Sequence, residues 1–256
     1  MSSDDAKAVA RRALALLDLT DLSETCTPAA IDRLCARAVT PYGAVAAVCL
    51  YPRFVAQAKR VLAGTGVRIA TVVNFPAGGE DTAAVLEETA RAIEDGADEI
   101  DHVLAWRAFL EGRPGFAETQ VARVKAVTAG RAKLKVILET GEIVDPDKIR
   151  AATEIAIAAG ADFVKTSTGK VKVNATLEAA RIMLEVIAAT GRGDVGFKPA
   201  GGIRTVEDAA AYLGLADQIM GSGWARPSTF RFGASGVLDA LIATLEDRVD
   251  DGGTGY

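Results

Sequence analysis

The chain has 256 residues, half of them hydrophobic and a quarter charged, with a net charge of −5. That composition fits a water-soluble α/β domain with a large core of its own, and the negative balance argues against nucleic acid or an anionic membrane as a main partner. No apolar run approaches the ~18 residues of a membrane span, and Met1-Ser2-Ser3-Asp4-Asp5 lacks a signal-peptide pattern.

Cys26, Cys35 and Cys49 have neither zinc-site nor C-x-x-C spacing, so they read as cytosolic thiols and point to a cytoplasmic protein. The single histidine, His102, excludes a multi-histidine metal site, although one built only from carboxylates stays open.

In chain order, the spacing of Ala8, Ala13, Leu14 and Leu17 predicts a helix from Asp4 to Leu17. Leu16-Leu17-Asp18-Leu19-Thr20 follows as a short apolar piece with one acid inside it. Thr27-Pro28 opens a helix to about Ala38. Ala44 to Leu50 reads as a strand buried on both faces, then Pro52 to Ala63 as a helix. Arg68 to Val73 is a strand, Asp81-Thr82 starts a helix to about Glu94, and Gly96 stops it. Glu99 to Leu104 is a strand carrying Asp101, Gly115 to Ala129 a helix, and Leu134 to Leu138 a strand closed by Glu139-Thr140-Gly141. Asp145-Pro146 caps a helix ending at Gly160.

Ala161 to Val164 is a strand that leads into Lys165-Thr166-Ser167-Thr168-Gly169-Lys170. A helix from Ala175 to Ala189, a strand with Lys198, a capped helix at Thr205 and the segment Phe230-Arg231-Phe232 come next. Gly233-Ala234-Ser235-Gly236 and a helix to about Glu246 close the order. Eight strands alternating with helices, about thirty residues per unit, give the cadence of a single (β/α)8 TIM barrel with an extra N-terminal helix. Residues 1–249 are expected to form one catalytic domain, and 250–256 a flexible C-terminal tail. No G-x-G-x-x-G follows the first strand, which argues against a doubly wound dinucleotide fold.

In such a barrel the C-terminal strand ends converge. Asp18, Cys49, Asn74, Asp101, Glu139, Lys165, Lys198 and Ser235 fall at or near them. Lys165 and Lys198 each end an apolar strand, where burying a lysine stem is costly without a use. An ordinary lysine leaves only ~1 in 2,500 molecules unprotonated at pH 7. A neighbouring ammonium and burial both depress that value, so the pair suggests an amine nucleophile and the cation that tunes it. Asp101 is the best-placed carboxylate to move protons. Glycines after the three last strands, with Lys170 beside them, suggest a phosphate cradle. His102 points to the opposite face of its strand from Asp101 and is expected to be structural. Trp106 and Trp224 read as packing or interface residues, and they are the ground for considering a homodimer.

Lys165-Thr166-Ser167-Thr168-Gly169-Lys170, Gly196-Phe197-Lys198-Pro199-Ala200-Gly201-Gly202, Tyr51-Pro52-Arg53-Phe54 and Phe232-Gly233-Ala234-Ser235 resemble the deoxyribose-phosphate aldolase family over nearly the whole chain. The resemblance implies a class I aldolase without metal or other cofactor. It would reversibly cleave 2-deoxy-D-ribose 5-phosphate to D-glyceraldehyde 3-phosphate and acetaldehyde. Lys165 would be the Schiff-base lysine and Lys198 the cation that lowers its pKa. Asp101 would share proton relay with Lys198, supported by Asp18, and Tyr256 would assist from the C-terminus. Thr20, Cys49 and Thr168 match pocket positions around the substrate chain. Gly169, Lys170, Gly201, Gly202, Ser235 and Gly236 match the phosphate cradle. Ser235-Gly236 departs from the family's pair of serines, leaving the Gly236 N–H as the donor there. Two other classes are weighed beside this one: a phosphate-binding barrel isomerase with Glu139 or Asp101 as base, and a non-catalytic sugar-phosphate sensor.

Overall fold

The computed structural model describes residues 1–248. Eight short parallel strands form one sheet: β1 (Leu17–Asp21), β2 (Ala47–Leu50), β3 (Arg68–Val73), β4 (Glu99–Val103), β5 (Lys133–Ile137), β6 (Phe163–Lys165), β7 (Gly196–Lys198) and β8 (Phe232–Ala234). Each pairs with its neighbour in sequence, and β8 returns to pair with β1. Between β7 and β8 the ring closes through parallel bridges Phe197–Phe230 and Ala200–Gly233. There the Arg231 N–H donates to the Phe197 carbonyl at 3.1 Å, and the Gly233 N–H to that of Pro199 at 2.9 Å. The result is the expected (β/α)8 barrel.

The extra helix is Ser3–Ala15, begun by a reciprocal capping box between Ser2 and Asp5. It buries Ala10, Ala13 and Leu14 against the last helix, Val237–Leu245. Arg12 secures it to the helix Val206–Met220 by a bidentate contact with Asp217, both bonds at 2.6 Å. The expected helix starts hold: Thr27, Asp81, Asp145 and Thr205 each cap one through the side chain. The strand expected over Ala44 to Leu50 is shorter, because Gly43–Ala44 pairs instead with Val39–Thr40 in a small antiparallel ribbon. A short helix, Trp106–Leu110, also stands between β4 and the helix Pro114–Thr128.

Strand alternation divides the side chains into two shells. Leu17, Leu19, Val48, Ile100, Val136, Val164 and Phe197 face the helices and join one continuous core. Ala47, Cys49, Ala70 and Val72 form a smaller apolar cluster inside the barrel. Val103 and Ile137 belong to another, and the charged side chains that share this interior make the site.

His102 faces the helical layer, fully buried, as expected for a structural residue. Burial pushes its imidazole down to about 4. The unfolded chain binds that proton near pH 6.5 and the folded one does not, so stability is lost as the pH falls through that window. Between pH 7 and pH 4 the parent is expected to lose about 3 kcal/mol more than a His102→Phe variant in urea unfolding; equal losses would show that His102 accepts a proton in place.

Candidate active site

Registry brings the two strand-end lysines together. Lys165 on β6 pairs directly with Lys198 on β7, both pointing into the barrel. Their Nζ atoms meet on one oxygen: Asp101 Oδ2 accepts from Lys165 Nζ at 2.8 Å and from Lys198 Nζ at 2.8 Å. Lys198 also donates to Asp18 Oδ2 at 2.5 Å. Asp101 Oδ1, the other oxygen, accepts from Lys135 Nζ at 2.8 Å. Lys198 has room because Gly233 lies alongside it. A Cβ there would stand 3.0 Å from Lys198 Cε and 2.8 Å from Ala200 Cβ, so the position requires glycine.

These contacts set the proton affinities. Burial opposes ionisation of Asp101, but Lys135, Lys165 and Lys198 override it and hold the carboxyl well below the usual range. Asp18 is likewise held down, by Lys198, Arg231 and Lys135 against burial. Burial also works against the Lys198 ammonium, yet Asp101 and Asp18 push its pKa up. Lys165 is the exception. Burial drives its amine down, Asp101 restores part of the loss, Lys198 lowers it further, and the net direction is down. One lysine is thus fixed as a cation while its neighbour is released toward the neutral amine.

The residues expected around the substrate lie on the same end of the barrel. Thr20 pairs across to Cys49, and its hydroxyl donates to the Asp18 carbonyl at 2.8 Å. Cys49 is fully buried and its thiol is pushed up by burial, which keeps it protonated. Thr168 donates its hydroxyl to Glu139 Oε2 at 2.6 Å and its N–H to Glu139 Oε1 at 3.1 Å. Glu139 reaches it from a left-handed backbone position, φ 62°, just past β5. Burial raises this carboxyl in spite of the two Thr168 bonds.

The loops after β6, β7 and β8 lie side by side. The Gly201 N–H donates to the Gly233 carbonyl at 3.1 Å, and a Cβ on Gly201 would strike Asn174. Gly169 (φ 83°) and Gly202 (φ 84°) take a backbone conformation that L side chains avoid, with open space where a Cβ would be. Ser235 and Gly236 are exposed, and Gly236 starts the helix Val237–Leu245 without a side-chain cap. Its first N–H groups suit an anion. Lys170 leans across the mouth, where Nζ donates to the Leu22 carbonyl at 2.7 Å.

Several expectations need correction or fall elsewhere. Asn74 turns away from the amines; its side-chain amide donates to the Gly79 and Val103 carbonyls, both at 3.0 Å, and braces its own loop. Trp106 is buried and Trp224 half-buried against Phe230, so surface tryptophan gives no ground for a dimer. Tyr256 and the tail lie outside the described residues. The buried carboxylates of the barrel interior are engaged by lysine and arginine: Asp18 and Asp101 as above, and Glu99 by Lys135 at 2.6 Å and Arg231 at 2.7 Å.

Lys135, Glu99 and Arg231 were not singled out in the sequence. Their signal was partly present: Leu134-Lys135-Val136 and Phe230-Arg231-Phe232 each set one charge between apolar neighbours, whereas Glu99 has an apolar neighbour only in Ile100.

A family described as DeoC/LacD family aldolase matches residues 12–235. A curated deoxyribose-phosphate aldolase from Agrobacterium fabrum is 58% identical over 233 residues, covering 91% of this chain and 90% of its own. Among solved structures, one of a Toxoplasma gondii ME49 protein proposed to be a deoxyribose-phosphate aldolase superposes with a TM-score of 0.88 at 25% identity, over 97% of this chain and 99% of that one. A deoxyribose-phosphate aldolase from Aeropyrum pernix, described as tetrameric, gives 0.76 at 25% identity, over 95% and 98%.

Proposed function

The chain belongs to the DeoC/LacD family of aldolases, and on that footing we propose that it cleaves 2-deoxy-D-ribose 5-phosphate reversibly through a Schiff base on Lys165. The neutral amine of Lys165 attacks the aldehyde carbon of the open-chain sugar and water leaves, giving an iminium. Loss of the C3 hydroxyl proton then breaks the C2–C3 bond, and its electrons flow into the iminium. Glyceraldehyde 3-phosphate departs, the remaining enamine takes a proton at C2, and hydrolysis releases acetaldehyde and restores the amine. Asp101, whose Oδ2 lies 2.8 Å from both Lys165 and Lys198, can pass protons between the two nitrogens. Asp18 holds Lys198 in place. Thr20, Cys49 and Thr168 line the substrate chain, and Gly169, Lys170, Gly201, Gly202, Ser235 and Gly236 receive the phosphate. Tyr256 is assigned a proton-transfer role on the family resemblance alone.

The observation that carries this reading is the shared carboxylate oxygen between a fixed ammonium and a lysine whose amine is driven down. An isomerase that used Glu139 or Asp101 as its base would have no use for a coupled pair of buried amines. Lys198→Leu tests the reading. Without the neighbouring cation the Lys165 amine holds its proton more tightly, so the alkaline-rising limb of kcat/KM is expected to move to higher pH and the rate at pH 7 to fall about 100-fold or more. An unmoved profile would remove Lys198 from the tuning role.

No helix among the described residues is long and apolar enough to cross a membrane, and the three cysteines are unpaired and buried. A cytoplasmic location is proposed on these grounds. Self-association, as a homodimer or a larger symmetric assembly, is proposed from the tetrameric relative; a monomer mass in light scattering would overturn it.

A further inference from the structure

The charged interior does not end at the reacting amine. Glu99 and Arg231 stand at the N-terminal end of the barrel, both buried, and line a cavity of about 710 Å³ at the mouth opposite Lys165. Arg231 donates to Asp18 Oδ1 at 2.6 Å and to the two Glu99 oxygens at 3.1 and 2.7 Å. Glu99 Oε2 lies 2.6 Å from Lys135 Nζ, and Lys135 donates to Asp101 Oδ1. From the far mouth to Lys165 the charge-assisted contacts run without a gap.

Among the described residues the array has four basic members, Lys135, Lys165, Lys198 and Arg231, and three acidic ones, Asp18, Glu99 and Asp101. With every group ionised it holds one surplus positive charge, which burial makes costly. Releasing one proton relieves it. Arginine does not release one. Lys198 is within ion-pair distance of two carboxylates, and Lys135 of three, with Asp18 at 3.7 Å. Among the described residues Lys165 has Asp101 alone. The surplus therefore resolves at Lys165, and any change in the array's charge is felt there.

We propose that Glu99 and Arg231 are positioning residues for Lys165: from the opposite mouth they set the net charge that decides whether its amine keeps a proton. This rests on Lys165 being the amine that bonds to substrate. Among the described residues the other titratable groups facing it are Asp101 on β4, Lys198 on β7, Cys49 on β2 and Glu139 just after β5, with Lys135 on β5 and Asp18 on β1 behind Asp101 and Lys198. None of them changes in the variants below.

The test is the initial rate of reductive trapping of acetaldehyde on Lys165 against pH, read by peptide mass, in the parent, Glu99→Gln, Arg231→Gln and the double variant. Removing the acid makes the array more positive, so the midpoint for Glu99→Gln is expected to fall by about one pH unit, the order expected for a unit charge some two strand spacings away. Arg231→Gln should raise it by a similar amount, and the double variant should return close to the parent. A packing role gives no reason for opposite signs or for mutual rescue. If Arg231→Gln does not fold, Glu99→Gln and the double variant still decide. Single variants that move together or stay put, or a double variant that keeps a shift, would overturn the proposal. If the parent adduct maps to a residue other than Lys165, the Schiff-base reading fails first. If it maps to Lys165 and the midpoints do not move, only the role of Glu99 and Arg231 fails.

Discussion

Lys165→Met is expected to lower turnover of 2-deoxyribose 5-phosphate by about 10⁴-fold or more, because the neighbouring amines of Lys198 and Lys135 are held as cations and do not form the iminium. The same substitution should leave the thermal midpoint unchanged or raise it. Lys165 is nearly fully buried and is the surplus base of an array of four bases and three acids. Methionine keeps the apolar stem and removes that surplus base, so the remaining three bases and three acids balance. A catalytic group whose loss relieves the fold is what a tuned amine implies. Two outcomes contradict this: turnover within tenfold of the parent, or a variant destabilised as heavily as a core truncation.

Asp101→Asn should do the reverse to stability and still destroy activity. The parent carboxylate accepts from three lysine side chains, which hold it well below the usual carboxylate range. An amide of the same shape leaves four buried bases facing two acids and turns donor hydrogens toward at least one ammonium. Breaking a buried ion pair in this one-sided way costs about 3–5 kcal/mol. Turnover should also fall by about 10³-fold, since the oxygen between Lys165 and Lys198 no longer carries protons. Urea unfolding at pH 7 with parallel kinetics checks both. A variant as stable as the parent would mean that solvent, rather than Asp101, balances the lysines.

The cadence of strands and helices was legible because each element carries its own signals: Thr27-Pro28, Asp145-Pro146 and the capping box at Thr205 mark helix starts whatever the tertiary context. Lys165, Lys198, Asp18 and Asp101 were legible for a related reason, being polar residues in apolar strands. What one strand cannot reveal is the registry between strands. That Lys165 meets Lys198 directly, and that Asp101 lies beside Lys135, are facts of the closed sheet. Lys133-Leu134-Lys135 looks like an ordinary half-solvated strand start until the barrel closes around Lys135, leaving Lys133 outside at a surface ion pair with Asp162. Arg231 likewise reads as an edge residue between two phenylalanines, and only the return of β8 to β1 puts its guanidinium on Asp18. The small ribbon at Val39–Thr40 and the helix Trp106–Leu110 were missed because each is too short to show a period.

The most direct measurement is to incubate the full-length protein with acetaldehyde, reduce it with borohydride and map the modified peptide by mass spectrometry. A two-carbon adduct confined to the peptide that contains Lys165, and absent from Lys165→Met, is the predicted result. An adduct on Lys198, Lys135 or a surface lysine in its place, or none at all while turnover proceeds, would contradict the account.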